Sequence, residues 1–493
     1  MHCPYSPCSP PPLWASRGVC AIMAPHHPGT EAALAGRPFA RAHRSRPGPR
    51  LPWAFLVLAG LVAGLLLAAC TTLSPATSAP QGTPTLGPSP AATPSPQPTV
   101  VASPPSPLTS STSLTLTLWW PDALLPPGGS EAREVLESQF KAFEEAHPSI
   151  SVVLQVKAAE GKGGLLDLLQ KAYPVAPSIL PDLVVLNAED LGEAVRAGVL
   201  QPLAPLLPQA LLDDLYPFAL NVGRFPQGVM ALQFAADVEH LAYDSGKVPT
   251  PPVTWTDVLS STARYVFPAG GRQGRVNDAF LIQYLALGGR LVDENGQPAL
   301  DGKLLARVLD FYAQGVERNV IRPNVLEIET LDQCWERLAA GGPGMANVAA
   351  SRYLRERTKY PALRFAPLPT WNGAVTTMSR GWVFALVAQD RPHQEAAALL
   401  IAWLLDPPRL AAWNTSAGYL PTRREAMTYL EDGTSYIPFL HWQLESAQYH
   451  PTAASYEAVA QALQSAVREV LSGTATPEES AQRVLKALGL PAP

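Results

Sequence analysis

The sequence has few cysteines, and their positions exclude two common kinds of architecture. Cys3, Cys8 and Cys20 precede a long apolar run, and only Cys70 and Cys334 come later. If the residues before Cys70 are removed, two cysteines remain in the mature chain. Two cysteines are too few for a disulfide framework or for a cysteine-based zinc site.

Histidine clusters and an excess of charge of one sign are also lacking. In the predicted folded part, the histidines are single and scattered (His147, His240, His393, His441 and His450), so we expect no metal site and no cofactor. The 36 basic and 41 acidic residues give a net charge of −5, which is too small and too mixed for nucleic-acid binding. The 493 residues allow two or three domains of ordinary size.

Charged side chains are absent between Arg50 and Asp122, and this region begins with an apolar run. An arginine-rich stretch at 37–50 precedes the run Leu51–Leu67, which is the order found in a signal peptide. We therefore predict a leader at 1–69. Met23 is an alternative start, in which case residues 1–22 are not translated.

The end of this apolar run resembles the bacterial lipobox, in which a cysteine becomes the lipidated first residue of the mature protein. The motif is Leu67-Ala68-Ala69-Cys70. The resemblance implies a protein anchored by lipid through Cys70 to the extracytoplasmic face of the cell membrane. An uncleaved signal anchor with an incidental cysteine is the alternative.

Residues 70–113 comprise the predicted lipidated cysteine and a segment that consists mostly of Ser, Thr, Pro and Ala. Such a segment buries too little apolar surface to offset the entropy of ordering it, and proline makes it extended. We predict a disordered tether that holds a folded domain away from a membrane.

Strands and helices alternate after residue 113. The patterns predict strands at 114–119, 151–156 and 181–186, and helices at 130–147, 165–172 and 189–197. This order is typical of an α/β fold with a mainly parallel sheet. Beyond residue 228, two strands at 229–234 and 239–243 are predicted on either side of Ala235-Ala236-Asp237, and the last third is mostly helical.

Several blocks, in this order, resemble the family 1 extracellular solute-binding proteins of ABC importers, which are chiefly carbohydrate binders. They read LTLTLWWPD, PDLVVLNAEDLGEAVRAGVLQPL, QFAADVEHLAYDSGKV, LGGRLVDENGQPAL and GWVFALVAQDRPHQEAAALLIAWLLDPPRLAAWNTSAGYLPTRREA. The resemblance implies a two-lobed periplasmic-binding-protein-like fold with a multi-strand hinge and an interlobe ligand cleft. Lobe 1 would comprise 114–234 plus 381–405, and lobe 2 would comprise 235–380 plus 406–493.

A sugar needs aromatic rings for stacking and polar groups for its hydroxyls, and the carboxyl ends of strands are where an α/β lobe presents them. Trp119 and Trp120 end the first strand on opposite faces, and we expect Trp120 to face the cleft. The family resemblance adds the residues after the hinge segments. The predicted ligand-binding set is Trp120, Asn187, Glu189, Asp190, Asp237, Ser351, Arg352, Tyr353, Arg380, Gly381 and Trp382.

Several of these residues could instead have a purely structural role. One of the polar residues after the third strand can simply cap the next helix. Trp382 can be a core aromatic of its strand, and Asp237 can be a surface carboxylate. Trp413 and Tyr456 are weaker ligand candidates.

Enzyme motifs are incomplete in this sequence. Ser138-Gln-Phe-Lys141 matches Ser-x-x-Lys, but it falls within a helix and its companion motifs are missing. A glycosidase pair of carboxylates is not excluded, because acids are numerous. We predict a non-enzymatic, monomeric substrate-binding lipoprotein of an ABC importer, which delivers a sugar to permease subunits in the membrane. The alternatives are a non-sugar solute, such as a polyamine, a metal chelate or a peptide, or a surface-anchored enzyme or adaptor.

Overall fold

The computed structural model of the protein describes residues 113–125 and 130–491. The predicted leader, Cys70 and the tether up to residue 112 lie outside the described residues, so they stay predictions. Within the described ranges, every helix is too short or too polar to span a bilayer.

The first half of the described chain alternates strands with helices, as expected, and the second half is richer in helices. The strands are β1 (Leu114–Pro121), β2 (Ile150–Lys157), β3 (Leu183–Asn187), β4 (Arg224–Phe225), β5 (Gly228–Val229), β6 (Ala231–Asp244), β7 (Tyr265–Val266), β8 (Met345–Ala349), β9 (Leu363–Ala366), β10 (Thr377–Leu386), β11 (Leu420–Pro421) and β12 (Ala447–Gln448). The helices are α1 (Glu131–Ala146), α2 (Leu165–Ala172), α3 (Leu191–Arg196), α4 (Gln209–Asp214), α5 (Pro217–Asn221), α6 (Trp255–Leu259), α7 (Asp278–Ala286), α8 (Gly302–Glu317), α9 (Leu331–Ala339), α10 (Ala350–Glu356), α11 (Arg391–Leu404), α12 (Pro407–Ala417), α13 (Arg424–Thr428), α14 (Tyr436–Ser446), α15 (Tyr456–Leu471) and α16 (Pro477–Ala487).

Most strands form one sheet in the order β2-β1-β3-β10-β6-β8-β7. β1 pairs in parallel with β2 and β3, which is the parallel α/β part that the sequence predicts. β10 runs antiparallel between β3 and β6, and it joins this part to the second-lobe strands. The α/β fold class is therefore confirmed.

The strand β6 belongs to both lobes. Its first half pairs with β10, and its second half pairs with β8 and β9. The prediction of two separate strands at 229–234 and 239–243 is therefore wrong. Ala235 and Ala236 do not break the strand, because both residues pair with β10 on one side and with β11 on the other.

The first-lobe sheet is covered on both faces. Leu118 and Trp120 of β1 contribute to the large core that also contains α1, and Trp119 contributes to a smaller core with Leu169 of α2. Parallel strands are expected to be buried on both faces in this way.

The predicted lobe boundary is wrong for one helix. Residues 407–417 were assigned to lobe 2, but α12 packs on α1, and Gln139 Nε2 donates to Arg409 O at 2.9 Å. Asn414 Nδ2 also donates to Phe234 O at 3.0 Å. By contrast, α15 and α16 pack on α8 of the second lobe.

Candidate functional site

A cleft lies where residues from the two lobes face each other across β6 and β10. It holds a side cavity of about 290 Å³, lined by residues that include Gln170, Asp190, Arg275, His450 and Tyr456. Next to it lie two overlapping central cavities of about 360 and 370 Å³, both lined by Asp237, Glu239, Asp278 and Tyr419. Arg380 lines all three cavities.

Arg380 of the hinge strand β10 is the centre of the cleft. Its Nε and Nη2 donate to the two oxygens of Asp278 at 2.5 and 2.7 Å, and its Nη1 donates to Glu189 Oε1 at 2.7 Å. Glu189 follows a first-lobe strand, whereas Asp278 begins a second-lobe helix. One guanidinium thus joins both lobes.

The charges of this cluster compensate one another. Burial would raise the pKa of Asp278, but the positive charge of Arg380 outweighs it and holds that pKa well below its usual range. Burial would likewise lower the pKa of Arg380, but Asp278 raises it instead. His450 also lies within hydrogen-bond distance of Asp278, with its Nε2 at 2.7 Å from Oδ1. The cluster is therefore a fixed set of hydrogen-bonding groups with little unbalanced charge.

A loop of the second lobe makes three further contacts with the first. Arg272 Nη2 lies 2.7 Å from Glu160 Oε1, and Gln273 Nε2 lies 3.3 Å from Glu160 Oε2. Arg275 Nη1 lies 3.6 Å from Glu189 Oε2. The lobes are thus in contact through charged side chains on this side of the cleft.

Asp237 lies in the cleft, as predicted, but its carboxylate is already hydrogen-bonded. Oδ1 accepts from the backbone N–H of Val238 and Ser351 at 2.9 and 3.0 Å, and Oδ2 accepts from Ser351 Oγ at 2.5 Å. Burial raises the pKa of Asp237 to about 6, even though these hydrogen bonds favour the charged form. Asp237 therefore ties β6 to α10 of the second lobe as well as lining the cavity.

Glu239 is a cleft carboxylate that the sequence did not single out. Its Oε2 accepts from Asn347 Nδ2 at 2.9 Å, and Asn347 Oδ1 accepts from Tyr265. Burial, with the nearby negative charge of Asp278, raises the pKa of Glu239 to about 8. The raised pKa favours the protonated form, which can donate a hydrogen bond.

Trp382 and Tyr419 form the aromatic wall of a central cavity. Trp382 Nε1 donates to the Tyr419 hydroxyl at 3.0 Å, which fixes the orientation of both rings. Both line the cavity, although Trp382 is largely buried. The structure thus combines the two alternatives for Trp382, because it packs in the core and also faces the cleft.

Gly381 also lines this cavity, but its conformation has a structural cause. Its φ is +150°, and a Cβ at this position would lie 1.9 Å from Ala235 O of the neighbouring strand β6. Glycine is therefore required by the close approach of two strands rather than by the approach of a ligand.

Only two of the three predicted ligand-binding residues at 351–353 line the cleft. Ser351 and Arg352 line a central cavity, and Arg352 also pairs with Asp332 and Glu356. Tyr353 was predicted wrongly as a ligand residue. It is buried on the opposite side of α10, and its hydroxyl donates to Leu363 O at 3.1 Å.

Trp120 was also predicted wrongly. Its ring is buried and lies against Phe234, Phe384 and Trp413, so it belongs to the first-lobe core rather than to the cleft. Trp413 is part of the same cluster, which removes it as a ligand candidate. The strand alternation was correct, but both faces of the strand are covered.

Asn187 and Asp190 lie where the sequence places them, at the carboxyl end of β3. Asn187 Oδ1 accepts from the backbone N–H of Glu189 at 3.1 Å, so this residue caps the following helical turn and also lines the cleft. Burial and the negative charge of Glu189 raise the pKa of Asp190 to about 6.

The residues that the sequence missed come mainly from the second lobe: Glu239, Arg272, Arg275, Asp278, Tyr419 and His450. Tyr456 was a weak candidate, and it does line the side cavity. One signal was available for the arginines, since the glycines of Gly270-Gly271-Arg272-Gln273-Gly274 predict an exposed loop. Within residues 113–125 and 130–491, no group of three His, Cys, Asp or Glu side chains could hold a metal ion.

The fold and cleft define a class, the two-lobed binding proteins that hold a ligand between domains. A family model described as bacterial extracellular solute-binding protein matches residues 138–435. Since this match spans more than half of the chain, the protein belongs to the family of bacterial extracellular solute-binding proteins, as the sequence blocks predicted.

Sequence and structural relatives agree with this placement. The chain is 25% identical over 188 residues to the maltotriose-binding protein of Pyrococcus abyssi, a match that covers 37% of this chain and 40% of that protein. The chain thus matches about two fifths of the length of this curated relative.

Solved structures resemble nearly the whole described fold. The cyclic α-maltosyl-1,6-maltose binding protein of Arthrobacter globiformis has a TM-score of 0.63 at 15% identity, covering 76% of this chain and 98% of that one. The maltose-bound MalE3 of T. maritima has a TM-score of 0.60 at 19% identity, covering 76% and 99%. The sugar-binding protein MalE of Xanthomonas citri has a TM-score of 0.61 at 19% identity, covering 76% and 97%. At these identities the likeness supports the two-lobed fold.

Proposed function

We propose that the protein captures a neutral sugar or oligosaccharide in the interlobe cleft and delivers it to the permease of an ABC importer. The observation that carries this proposal is the pairing of an aromatic wall, Trp382 and Tyr419, with fixed polar groups at Arg380 and Glu239. A sugar ring offers an apolar face to the first and hydroxyls to the second. The names of the relatives, which refer to maltose and maltotriose, support the same class of ligand.

The charge pattern of the cleft combines paired arginines with an excess of carboxylates. The guanidinium of Arg380 is compensated by Asp278 and Glu189, so it offers donors without a net positive charge. Carboxylates nevertheless outnumber arginines around all three cavities, five to two in the first central cavity, so a cationic solute such as a polyamine is the second candidate ligand.

Ligand binding is coupled to closure in this proposal. Asp237, Asp190 and Arg352 come from different lobes, so a ligand that contacts all of them binds the closed state better than the open one. A difference in affinity of this kind shifts the population towards closure. No covalent change of the sugar is required.

The binding test is a calorimetric titration with glucose and linear maltooligosaccharides. We expect Trp382→Ala to weaken binding about tenfold or more, which corresponds to about 1.4 kcal/mol. Trp442→Ala is the matched control, because Trp442 lies on the exposed surface of α14. Thermal unfolding of both variants separates lost binding from lost folding. Glycoside hydrolysis without stable binding would contradict the proposal.

The proposed location is the extracytoplasmic face of the cell membrane, with a lipid anchor at Cys70. Two or more acyl chains are enough for stable anchoring. We expect Cys70→Ala to release the protein from the membrane fraction or to leave the leader uncleaved. Metabolic labelling with a radioactive fatty acid measures this, and unchanged acylation in the variant would refute the assignment.

A further inference from the structure

The helix α14 lies behind the hinge, on the side of β6 that faces away from the cleft. Asp237 and Glu239 of β6 line the central cavities, whereas His240, the next residue of the strand, points to the opposite face because side chains alternate. The Nε2 atom of His240 lies 2.8 Å from the hydroxyl oxygen of Tyr436, the first residue of α14. Among the described residues that line the three cleft cavities, none belongs to α14.

The beginning of α14 is held by the second lobe. The Tyr436 hydroxyl donates to Ala350 O at 3.0 Å, and the Tyr436 side chain is fully buried. One turn later, the ring of Phe439 packs against Phe365 of β9, with 4.9 Å between ring centroids, and against His240, with 5.4 Å. These contacts attach this end of the helix to second-lobe strands and to the start of α10.

The end of α14 is held by the first lobe instead. His441 Nδ1 lies 2.5 Å from the hydroxyl oxygen of Tyr216, which directly precedes α5. Arg424 of α13 donates to both carboxylate oxygens of Glu445 at 2.5 and 2.9 Å, and its Nη1 donates to Leu215 O at 2.7 Å. A bidentate pair of this kind fixes geometry as well as adding energy. Arg424 therefore connects the end of the helix to the first-lobe backbone.

A helix that is held by both lobes restricts the motion of the hinge. The 11 residues of α14 form a rod about 16 Å long, which does not stretch. Opening of the cleft is a rotation of one lobe against the other about β6 and β10, so the two attachment points behind the hinge must move relative to each other. In the structure the lobes touch across the cleft through Arg272 and Glu160, and both ends of α14 are engaged at the same time.

We propose that α14 is a brace behind the hinge, which shifts the equilibrium between open and closed lobes towards the closed arrangement and so raises affinity without touching the ligand. The first-lobe end is the one released on opening, because Tyr436 is fully buried at the other end whereas His441 and Glu445 are partly exposed. The effect on lobe position stands by itself. The effect on affinity rests on the proposed function, because it requires a ligand that binds the closed state better.

The first test measures lobe position without a ligand. Small-angle X-ray scattering compares the full chain with a double variant, His441→Ala with Glu445→Ala, which frees the helix from the first lobe. We expect a larger radius of gyration for the double variant, because its lobes separate more often. Trp442→Ala is the matched control, because Trp442 lies on the same helix with a side chain that is 50% exposed. We expect the control to scatter like the unmodified protein.

A milder variant guards against loss of folding. Tyr216→Phe removes only the hydroxyl that faces His441 and keeps the ring, which stacks on Phe218. We expect a shift in the same direction as that of the double variant, but a smaller one, because the Arg424–Glu445 pair remains. Thermal unfolding of each variant shows that it is folded.

The second test is a calorimetric titration with maltotriose. We expect the double variant to bind about fivefold more weakly or worse, since a less populated closed state lowers the apparent affinity by the same factor. Trp442→Ala should bind as the unmodified protein does.

The outcomes separate the brace from the function of the cleft. Folded variants with unchanged scattering and unchanged affinity overturn the brace. A smaller radius of gyration with tighter binding overturns it as well, because α14 would then resist closure. If maltotriose binds to none of the proteins, the choice of ligand in the proposed function fails, and the scattering result alone decides whether α14 holds the lobes together.

Discussion

Two ion pairs lie in the cleft, an inner pair of Arg380 with Glu189 and an outer pair of Arg272 with Glu160. Both join an arginine to a glutamate at 2.7 Å, but they differ in depth. Arg272 and Glu160 are largely exposed, so their pairing is worth about 0–1 kcal/mol. Arg380 is bound by Glu189 and by Asp278, whose carboxylate is 1% exposed. Depth, rather than distance, distinguishes a fixed ion pair from a weak, exposed one.

The largest effect on stability is expected from removing Asp278, the buried carboxylate that binds Arg380. Asp278→Ala leaves the guanidinium of Arg380 short of one carboxylate in a largely buried place, which should cost about 3 kcal/mol of unfolding free energy. Urea denaturation measures it. Glu160→Ala, at the outer pair, is the matched comparison, and equal losses in the two variants would show that depth does not distinguish the pairs.

The position of Arg380 can also be changed through its strand, β10, by a substitution at the neighbouring Gly381. Gly381→Ala places a Cβ 1.9 Å from the backbone oxygen of Ala235, so β10 must shift and carry Arg380 with it. We expect a loss of about 2 kcal/mol or more. Gly473→Ala is the control, because Gly473 also has a positive φ but has open space around its Cβ position. A Gly381→Ala variant as stable as this control would refute the steric argument.

The stability of the protein should also depend on pH through Glu239, whose pKa is raised by burial and by the nearby charge of Asp278. Its pKa is raised to about 8 in the folded protein, so the folded state holds a proton that the unfolded state releases above about pH 4.5. The favourable contribution is complete below that lower value and is lost as pH rises through 8. Between pH 6 and 8 the free energy of unfolding should fall as pH rises, by up to about 1.4 kcal/mol per pH unit.

Urea denaturation at pH 6, 7 and 8 measures this slope, and Glu239→Gln is the matched variant. The amide keeps an oxygen to accept from Asn347 but does not titrate. We expect the decline in stability to become shallower in the variant. An identical slope in both proteins would assign the dependence to other groups.

The smallest effect is expected at the outer pair. Arg272→Ala should change the unfolding free energy by less than about 1 kcal/mol, and raising the ionic strength should reduce the difference further because salt screens exposed charges. Denaturation at low and high sodium chloride concentration measures both effects. A loss of unfolding free energy as large as that of Asp278→Ala would mean that exposure does not weaken the outer pair.

Local patterns in the sequence predicted the first-lobe elements well. Ser130 caps α1, the helix predicted at 130–147, because capping needs only residues a few positions apart. The cleft residues at 187–190 and 380–382 were also found, because the first group follows a strand and the second lies in a block that resembles the family.

Long-range packing set the limit of prediction. Alternation correctly placed Trp119 and Trp120 on opposite faces of β1, but it could not reveal that helices cover both faces. Asp278 and Arg380 are 102 positions apart, and neither has a local pattern that names the other. Such pairs become visible only when the fold brings them together.

The most direct measurement of the central claim is a crystal structure of the protein with maltotriose. The account predicts the sugar between the lobes, with one ring against Trp382 and Tyr419. A sugar bound outside the cleft, or a cleft that stays empty at saturating concentration, would contradict it.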